Sequence, residues 1–290
     1  MDDKIWKHVV AGAAAGWMIA FVTCPLDVVK TRLQAKSVQS AQQAQSAGFV
    51  KQLGTIWKQE GLRGMYRGLG PTLVGYLPAF SIYFPTYHFC KVRLSAWRGT
   101  PAGEDAVVHM ISAMTAGAAG NLSTNPLWVV RTRLMTQHVL GDRIYSGALD
   151  AFSSIWKEEG LRGFYKGATV SVVGVSHVAI QFPLYEWLKR IQVSDPADLS
   201  PLNILLASTV AKVLASTVTY PHEVIRTRLQ IQRSQHSRFM GVFNVIRKTF
   251  KREGIRGFYR GLYANIVRVI PASGVTFVTY ELIVKHLNVK

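Results

Sequence analysis

The feature that most constrains this chain is a ten-residue phrase, the proline phrase, that occurs three times. It reads CPLDVVKTRL at 24–33, NPLWVVRTRL at 125–134 and YPHEVIRTRL at 220–229. A second, glycine phrase follows each copy, as EGLRGMYRG at 60–68, EGLRGFYKG at 159–167 and EGIRGFYRG at 253–261. Two phrases that recur in the same order indicate internal repeats. We therefore predict three similar units arranged in a ring, at 1–100, 101–197 and 198–290.

Each unit also contains two long apolar stretches. Four stretches lack Lys, Arg, Asp and Glu altogether, at 8–26, 68–88, 106–130 and 167–185. Two more, 201–225 and 262–285, are interrupted by Lys212 and Arg268. A helix of about 20 residues crosses the roughly 30 Å hydrocarbon core of a membrane. We expect an all-α membrane protein with six transmembrane helices, two in each unit.

The positive charge is concentrated between the two stretches of each unit. The net charge is +18, and the segments 30–67, 131–166 and 226–260 together carry 23 basic and six acidic residues. An even number of spans places these segments on one face, which the positive-inside tendency assigns to the inner compartment, with both termini opposite. The basic character thus reflects topology. We expect no nucleic-acid partner, because no base-reading or stacking element occurs.

A short amphipathic stretch precedes each glycine phrase. The three sequences are FVKQLGTIWKQEG, ALDAFSSIWKEEG and MGVFNVIRKTFKREG. In the last of them Phe243, Ile246 and Phe250 follow helical spacing. We expect a helix along the membrane surface in each unit, where basic side chains and free helix N-termini can bind anionic lipid head groups.

No pattern in the chain predicts an enzyme. The first residues, MDDKIWKHVVAGAAAG, do not resemble an Arg-rich transit peptide or a secretory signal. Cys24 and Cys90 are the only cysteines, so neither a disulfide framework nor a cysteine metal site is expected. The histidines are scattered, and neither a catalytic triad nor a phosphate-binding glycine loop occurs. We expect no catalytic residue, no metal and no cofactor.

The three proline phrases resemble the signatures of the mitochondrial carrier family: proline, any residue, an acid, two apolar residues, a base, any residue and a base. The glycine phrases match that family as well, and the resemblance covers the whole chain. It implies six tilted helices with threefold pseudosymmetry around one substrate site, with short surface helices on the matrix side. It also implies a working monomer in the mitochondrial inner membrane, termini toward the intermembrane space, and bound lipid such as cardiolipin.

The proline phrases predict a gate at the matrix end of the odd-numbered transmembrane helices. Proline removes a backbone hydrogen bond and bends a helix, so the ends that follow Pro25, Pro126 and Pro221 can converge. An acid and a base three residues apart share a helical face, and the base of one helix can meet the acid of the next. The expected gate residues are Asp27, Lys30, Arg131, Glu223 and Arg226. Trp128 replaces the third acid, so at most two ion pairs form and one base is left for water, lipid or substrate.

The resemblance implies further gate residues. Gln34 and Gln230 would brace the matrix ion pairs. At the cytoplasmic end, the family has an aromatic residue, an acid and a base on each even-numbered helix, and here two of those motifs are incomplete. The expected aromatic residues are Tyr87, Tyr185 and Tyr280, and the expected pairs are Lys91 with Glu186 and Lys189 with Glu281.

Two basic residues within the predicted spans mark the substrate site. Charged residues inside a membrane are costly and functional by default, and Lys212 and Arg268 lie between the two predicted gates. Arg268 occupies the family's third contact position, whereas Lys212 stands where the other units have Gly16 and Gly117. Alternatively, each base makes an interhelix contact or extends toward the membrane surface. Further expected contacts are Gly75, Tyr76, Val173, Gly174, His177 and Gln181, with Asn121 and Tyr83 as additional candidates.

Two deep bases without a deep acid favour an anionic substrate, and arginine suits phosphate. Trp128, Lys212 and the run SHVAIQFPLYE further resemble the nucleotide, NAD and folate or flavin branch of the family, most of all the fungal-type NAD+ carriers. The resemblance thus implies NAD+ transport into the matrix by exchange or slow uniport. Pyrimidine nucleotide transport, then FAD or folate transport, stay open. A non-transporting membrane receptor or scaffold is the alternative from another class.

Overall fold

The computed structural model describes residues 3–35, 49–99, 105–140, 145–192, 201–232, 241–269, 271–272 and 274–275. Over these ranges the regular elements are helices, and no β-strand occurs. The α-helices are α1 (Asp3–Ala35), α2 (Phe49–Met65), α3 (Leu69–Arg98), α4 (Ala106–Leu140), α5 (Ala148–Phe164), α6 (Ala168–Gly174), α7 (His177–Gln192), α8 (Pro201–Gln230) and α9 (Val242–Glu253). A 3-10 helix over Ile255–Tyr259 follows α9, and residues 262–269 are helical again.

The long helices are arranged around a centre formed by α1, α4 and α8. These three contact one another, α3 packs against both α1 and α4, and α6 and α7 lie between α4 and α8. Pro25, Pro126 and Pro221 lie inside α1, α4 and α8, which continue past them. The predicted span over 167–185 is divided, because a turn at 175–176 separates α6 from α7. The ring of helices thus carries the three proline phrases at its centre.

The outer surface of the bundle is rich in large apolar side chains. Phe21, Val74 and Val218 are 56%, 61% and 64% exposed. By length and mean hydropathy alone, two described segments are long and apolar enough to cross a membrane, Ala168–Gln192 and Asn203–Gln230. Exposed apolar surface of this kind is unfavourable in water and fits contact with lipid.

The glycine phrase produces the same backbone in all three units. Its first glycine has a positive φ, of 62° in Gly61, 60° in Gly160 and 61° in Gly254. This glycine kinks α2 and α5 from within and directly follows the last residue of α9. Its last glycine precedes the next long helix with φ values of 80° in Gly68, 78° in Gly167 and 82° in Gly261. Glycine adopts these conformations without a steric penalty from a Cβ atom. Six glycines therefore set the direction in which the chain returns to the bundle.

The surface helices are α2, α5 and α9. Each packs on the helix of its own unit that contains the proline phrase, which is α1, α4 or α8. In the second unit, Ile155 and Phe164 pack with Val129, Val130 and Leu134 in a buried cluster. Equivalent buried clusters join α1 to α2 and α8 to α9. Burial of these side chains holds the surface helices against the ends of the bundle.

A buried carboxylate from each glycine phrase strengthens this packing. Glu159 accepts hydrogen bonds from Arg133 at 2.5 and 2.9 Å and from Lys166 at 2.5 Å. Burial by itself raises the pKa of Glu159, but the hydrogen bonds and charge of Arg133 outweigh it and hold that pKa below its ordinary value. The corresponding groups in the other units are Arg32, Glu60 and Arg67, and Arg228, Glu253 and Arg260.

Candidate substrate-binding site

A cavity of about 400 Å³ lies at the centre of the bundle, a size typical of ligand-binding cavities. Its charged lining consists of Asp27, Lys30, Arg131, Lys212, Glu223, Arg226 and Arg268. Its uncharged lining includes Gln34, Asn121, Trp128, Gly174, His177, His222, Gln230 and Asn265. Five basic side chains face two acidic ones in this lining. The cavity therefore has a positive potential.

Two ion pairs connect the central helices at one end of the cavity. Nη2 of Arg131 donates to Oδ2 of Asp27 at 2.6 Å and joins α4 to α1. Nζ of Lys30 lies 2.5 Å from Oε2 of Glu223 and joins α1 to α8. In each pair the acid of one proline phrase meets the base of another. The threefold arrangement brings these residues together although they are far apart in the sequence.

Trp128 occupies the position where a third acid would complete the ring. Its indole Nε1 donates to the Thr124 hydroxyl at 2.9 Å. Its ring lies 5.4 Å from the Arg131 guanidinium carbon and 6.4 Å, edge-on, from the ring of Tyr76. Arg226, the base of the third position, lines the cavity and has neither an ion pair nor a hydrogen bond among the described residues. One gate base thus remains without an acid.

Gln34 and Gln230 join the central helices through hydroxyl groups. Oε1 of Gln34 accepts a hydrogen bond from Thr227 at 2.8 Å, and its Nε2 donates to the Tyr220 hydroxyl at 2.9 Å. Oε1 of Gln230 accepts from Thr132 at 2.8 Å. The predicted contacts with the ion pairs are absent from the described hydrogen bonds, because the threonines that follow Arg226 and Arg131 reach the two glutamines with their hydroxyls. The glutamines still connect one central helix to the next.

Arg268 makes a contact that the sequence did not predict. Its Nη1 lies 3.2 Å from Oδ1 of Asp27, so this carboxylate faces both Arg131 and Arg268. The expected substrate-binding arginine is therefore also attached to the ion-paired end of the cavity. Lys212 lines the same cavity and, within the described part of the chain, forms no ion pair or hydrogen bond.

The other predicted contact residues divide into two groups. Gly174 and His177 line the cavity, as expected for contact residues. Val173 does not, since it is 65% exposed and lies about 100° around the helix from Gly174. Gly75 is also outside the lining, because it is buried against α4. Gln181 is half-buried and lies about one turn beyond His177, outside the lining.

Among the cavity residues that sequence reasoning missed are His222 and Asn265. Nδ1 of His222 is hydrogen-bonded to the carbonyl oxygen of Thr219, and a Cβ atom on Gly174 would lie 2.5 Å from its Nε2. Asn265 accepts a hydrogen bond from Nζ of Lys30 at 2.7 Å. Alignment of the three proline phrases could have identified His222, since the other two phrases have leucine at that position.

The ion pair predicted between Lys91 and Glu186 at the cytoplasmic gate does not form in the structure. Glu186 lies 3.2 Å from Lys189 on its own helix, one turn away, rather than against Lys91. This local pair forms because residues three positions apart share a helical face. Glu281, the predicted partner of Lys189, lies outside the described residues. Among the predicted gate residues of this end that the structure describes, no ion pair joins different helices.

The aromatic residues of that end contact side chains on a neighbouring helix or on their own helix. The Tyr87 hydroxyl is hydrogen-bonded to Nδ1 of His109 at 2.5 Å. Nζ of Lys189 lies 5.1 Å from the centre of the Tyr185 ring. Tyr280 lies outside the described residues.

Residues 2–96, 103–196 and 197–290 each match the family described as mitochondrial carrier protein. The chain belongs to the mitochondrial carrier family. This carrier is therefore a transporter with a small-molecule substrate, and not an enzyme. Its described residues contain no group of three or more His, Cys, Asp or Glu that could hold a metal ion.

Three relatives show which carriers this chain is similar to. The nicotinamide adenine dinucleotide transporter 2, mitochondrial, of Arabidopsis thaliana is 45% identical over 288 residues, covering 96% of this chain and 78% of the relative. The mitochondrial nicotinamide adenine dinucleotide transporter 1 of Saccharomyces cerevisiae is 41% identical over 281 residues, covering 94% and 74%. The folate transporter 1, chloroplastic, of Arabidopsis thaliana is 40% identical over 296 residues, covering 98% and 96%.

Proposed function

We propose that this carrier moves an anionic nucleotide across the mitochondrial inner membrane by alternating access, and that this nucleotide is NAD+. The observation that carries this proposal is the cavity lining, in which five basic side chains face only two acidic ones. The pyrophosphate of NAD+ is anionic, and guanidinium groups bind phosphate oxygens with favourable geometry. Transport proceeds by exchange for a mononucleotide or by slow uniport.

Arg268 and Lys212 are the phosphate-binding groups in this proposal. Both line the cavity, and Lys212 forms no described ion pair or hydrogen bond that a substrate would have to replace. Gly174 and His177 form part of the wall for a ring, with Trp128 and Tyr76 as an aromatic surface at the side. Tyr76 reaches this wall only through its contact with Trp128, and Gly75, Val173 and Gln181 complete the proposed contact set; none of these four lines the cavity in this structure.

The pairs Asp27–Arg131 and Lys30–Glu223 form the matrix gate, with Gln34 and Gln230 as links between its helices. Because Asp27 also faces Arg268 at 3.2 Å, a substrate phosphate that binds Arg268 competes with this carboxylate. Binding thereby removes one contact that holds the gate closed. The cytoplasmic gate uses Lys91, Glu186, Lys189 and Glu281, flanked by Tyr87, Tyr185 and Tyr280.

Folate is a second candidate substrate, because a folate transporter is 40% identical to this carrier over nearly its whole length. Folate carries carboxylates and a flat ring, and a basic cavity accommodates both. The identity to the folate transporter is therefore only slightly lower than the identity to the NAD+ transporters. Two NAD+ transporters at 45% and 41% identity support NAD+ as the first choice. A pyrimidine nucleotide and FAD share the same phosphate and ring chemistry.

The surface helices support a location in an anionic membrane. The outer face of α9 has a shallow cleft of about 270 Å³ lined by Asn244, Arg247, Lys248, Lys251 and Arg252. Phe243 on the same helix is 76% exposed. Basic side chains beside an exposed aromatic ring suit an anionic lipid such as cardiolipin. The basic segments face the matrix, the termini face the intermembrane space, and a monomer suffices because three units close the ring.

The test is thermal unfolding of the detergent-purified carrier with NAD+, UTP, CTP, FAD and folate, followed by uptake into liposomes. A ligand that binds only the folded state raises the unfolding temperature. We expect NAD+ to give the largest shift and to be taken up. A shift with folate or a pyrimidine nucleotide alone would replace NAD+ by that ligand. No shift and no uptake with any of them would contradict nucleotide transport.

A further inference from the structure

Arg226 differs from the other two gate bases, Lys30 and Arg131, because it forms no ion pair among the described residues. Asp27 pairs with Arg131, and Glu223 pairs with Lys30. By the same threefold relation, the partner of Arg226 is residue 128, which is tryptophan. Trp128 interacts with Thr124, Tyr76 and the Arg131 guanidinium, none of which can neutralise Arg226.

A second, independent observation lies one helical turn further along α8. Gln230 is 3% exposed and lines the same cavity, yet its Nε2 has no hydrogen-bond partner among the described residues. The equivalent atom of Gln34 donates to the Tyr220 hydroxyl. The residue equivalent to Tyr220 in the second unit is the shorter Asn125, whose Oδ1 is also buried without a partner in the described part of the chain. A buried donor without an acceptor is costly, and an oxygen-rich ligand would satisfy it.

We infer that Arg226 and Nε2 of Gln230 form a second anion subsite, which tryptophan at position 128 creates by leaving Arg226 without an ion-pair partner. The inference rests on the proposed transport of an anionic nucleotide and assigns part of its path. Lys212 and Arg226 are 14 residues apart on α8, or about 21 Å along the helix axis. The spacing exceeds what one pyrophosphate can bridge.

The subsite therefore acts in sequence with Lys212. A phosphate group held first at Lys212 reaches Arg226 as it approaches the matrix gate, where Arg268 contacts Asp27. Arg226 then offers a positive charge at the place where a third ion pair would otherwise close the path. Trp128 is, on this view, a specificity residue for anionic substrates.

The test uses a matched pair of variants, Trp128→Glu and Trp128→Gln, which differ in charge but hardly in size. Each is made with Arg226 intact and with Arg226→Gln. Binding of NAD+ and of inorganic pyrophosphate to the purified full-length carrier is measured by calorimetry, together with the unfolding temperature without ligand. With Arg226 intact, we expect Trp128→Glu to bind both ligands about tenfold more weakly than Trp128→Gln and to unfold at a higher temperature, because the introduced carboxylate pairs with Arg226.

In the Arg226→Gln background both differences should disappear. Arg226→Gln alone should weaken pyrophosphate binding at this subsite about tenfold and leave binding at Lys212 unchanged, because one pyrophosphate cannot bridge the two. If Trp128→Glu weakens binding equally in both backgrounds, general repulsion explains the effect and the subsite is overturned. Unchanged pyrophosphate affinity in Arg226→Gln also overturns it. If the wild-type carrier binds pyrophosphate but not NAD+ or the other nucleotides, the proposed substrate is wrong, while the pyrophosphate measurements still decide the subsite.

Discussion

Asp27 connects Arg131 and Arg268. Its Oδ2 accepts a hydrogen bond from Arg131 at 2.6 Å, and its Oδ1 lies 3.2 Å from Nη1 of Arg268. One carboxylate thus links a pair between two central helices to the arginine that we propose binds substrate. The Asp27 side chain is 9% exposed, so both contacts form where water screens charge weakly.

Replacement of Arg268 by alanine should abolish transport while the bundle stays folded. The variant loses charge-assisted hydrogen bonds to phosphate, which corresponds to about 10- to 100-fold weaker binding. Asp27 keeps its pair with Arg131, so the ion-paired end remains assembled. Uptake into liposomes and ligand-induced thermal shifts measure the effect. Arg63→Ala, at an exposed arginine of α2, is the control, and near-normal uptake by the Arg268 variant would refute the role of Arg268.

Replacement of Gly174 by alanine should displace His222. The added Cβ would lie 2.5 Å from Nε2 of His222, and such overpacking typically costs about 1–3 kcal/mol. The unfolding temperature should fall, and it should recover in the double variant Gly174→Ala, His222→Ala relative to His222→Ala alone. Gly70→Ala has open space around it and serves as the control. Equal destabilisation in both backgrounds would show that His222 is not the obstacle.

Replacement of Glu159 by glutamine should destabilise the second unit strongly. Glu159 and Arg133 are each 2% exposed, and removal of one partner from a buried pair typically costs about 3–5 kcal/mol. Thermal or denaturant unfolding checks this value against Glu158→Gln, at the exposed neighbouring residue. Similar unfolding of the two variants would mean that the contacts of Glu159 with Arg133 and Lys166 add little.

Replacement of Gly61 by alanine should destabilise the carrier, whereas Gly54→Ala should not. Both glycines lie in α2 with nothing within 4 Å of an added Cβ atom, but only Gly61 has a positive φ, of 62°. Strain at Gly61 costs about 1–3 kcal/mol. In the helical conformation of Gly54, alanine stabilises by up to about 1 kcal/mol. Unfolding temperatures that move in the same direction would contradict the conformational argument.

The repeated phrases determined most of the architecture. Three proline phrases, three glycine phrases and six apolar stretches predict six helices in three units, because each pattern depends only on local spacing. The positions of the gate bases and acids follow from the alignment of the three proline phrases, and so does the absence of a third acid at Trp128. Arg268 and Lys212 were identified because charge inside an apolar stretch is conspicuous in a sequence.

Only the tertiary structure decided which side chains meet across the helices. The contact of Arg268 with Asp27, the hydroxyl partners of Gln34 and the approach of His222 to Gly174 depend on side-chain reach between helices. Val173 and Gly174 are adjacent in sequence, yet one is exposed on the outside and the other lines the cavity. Helical rotation of about 100° per residue separates them, and the packing of neighbouring helices determines which face is turned inward.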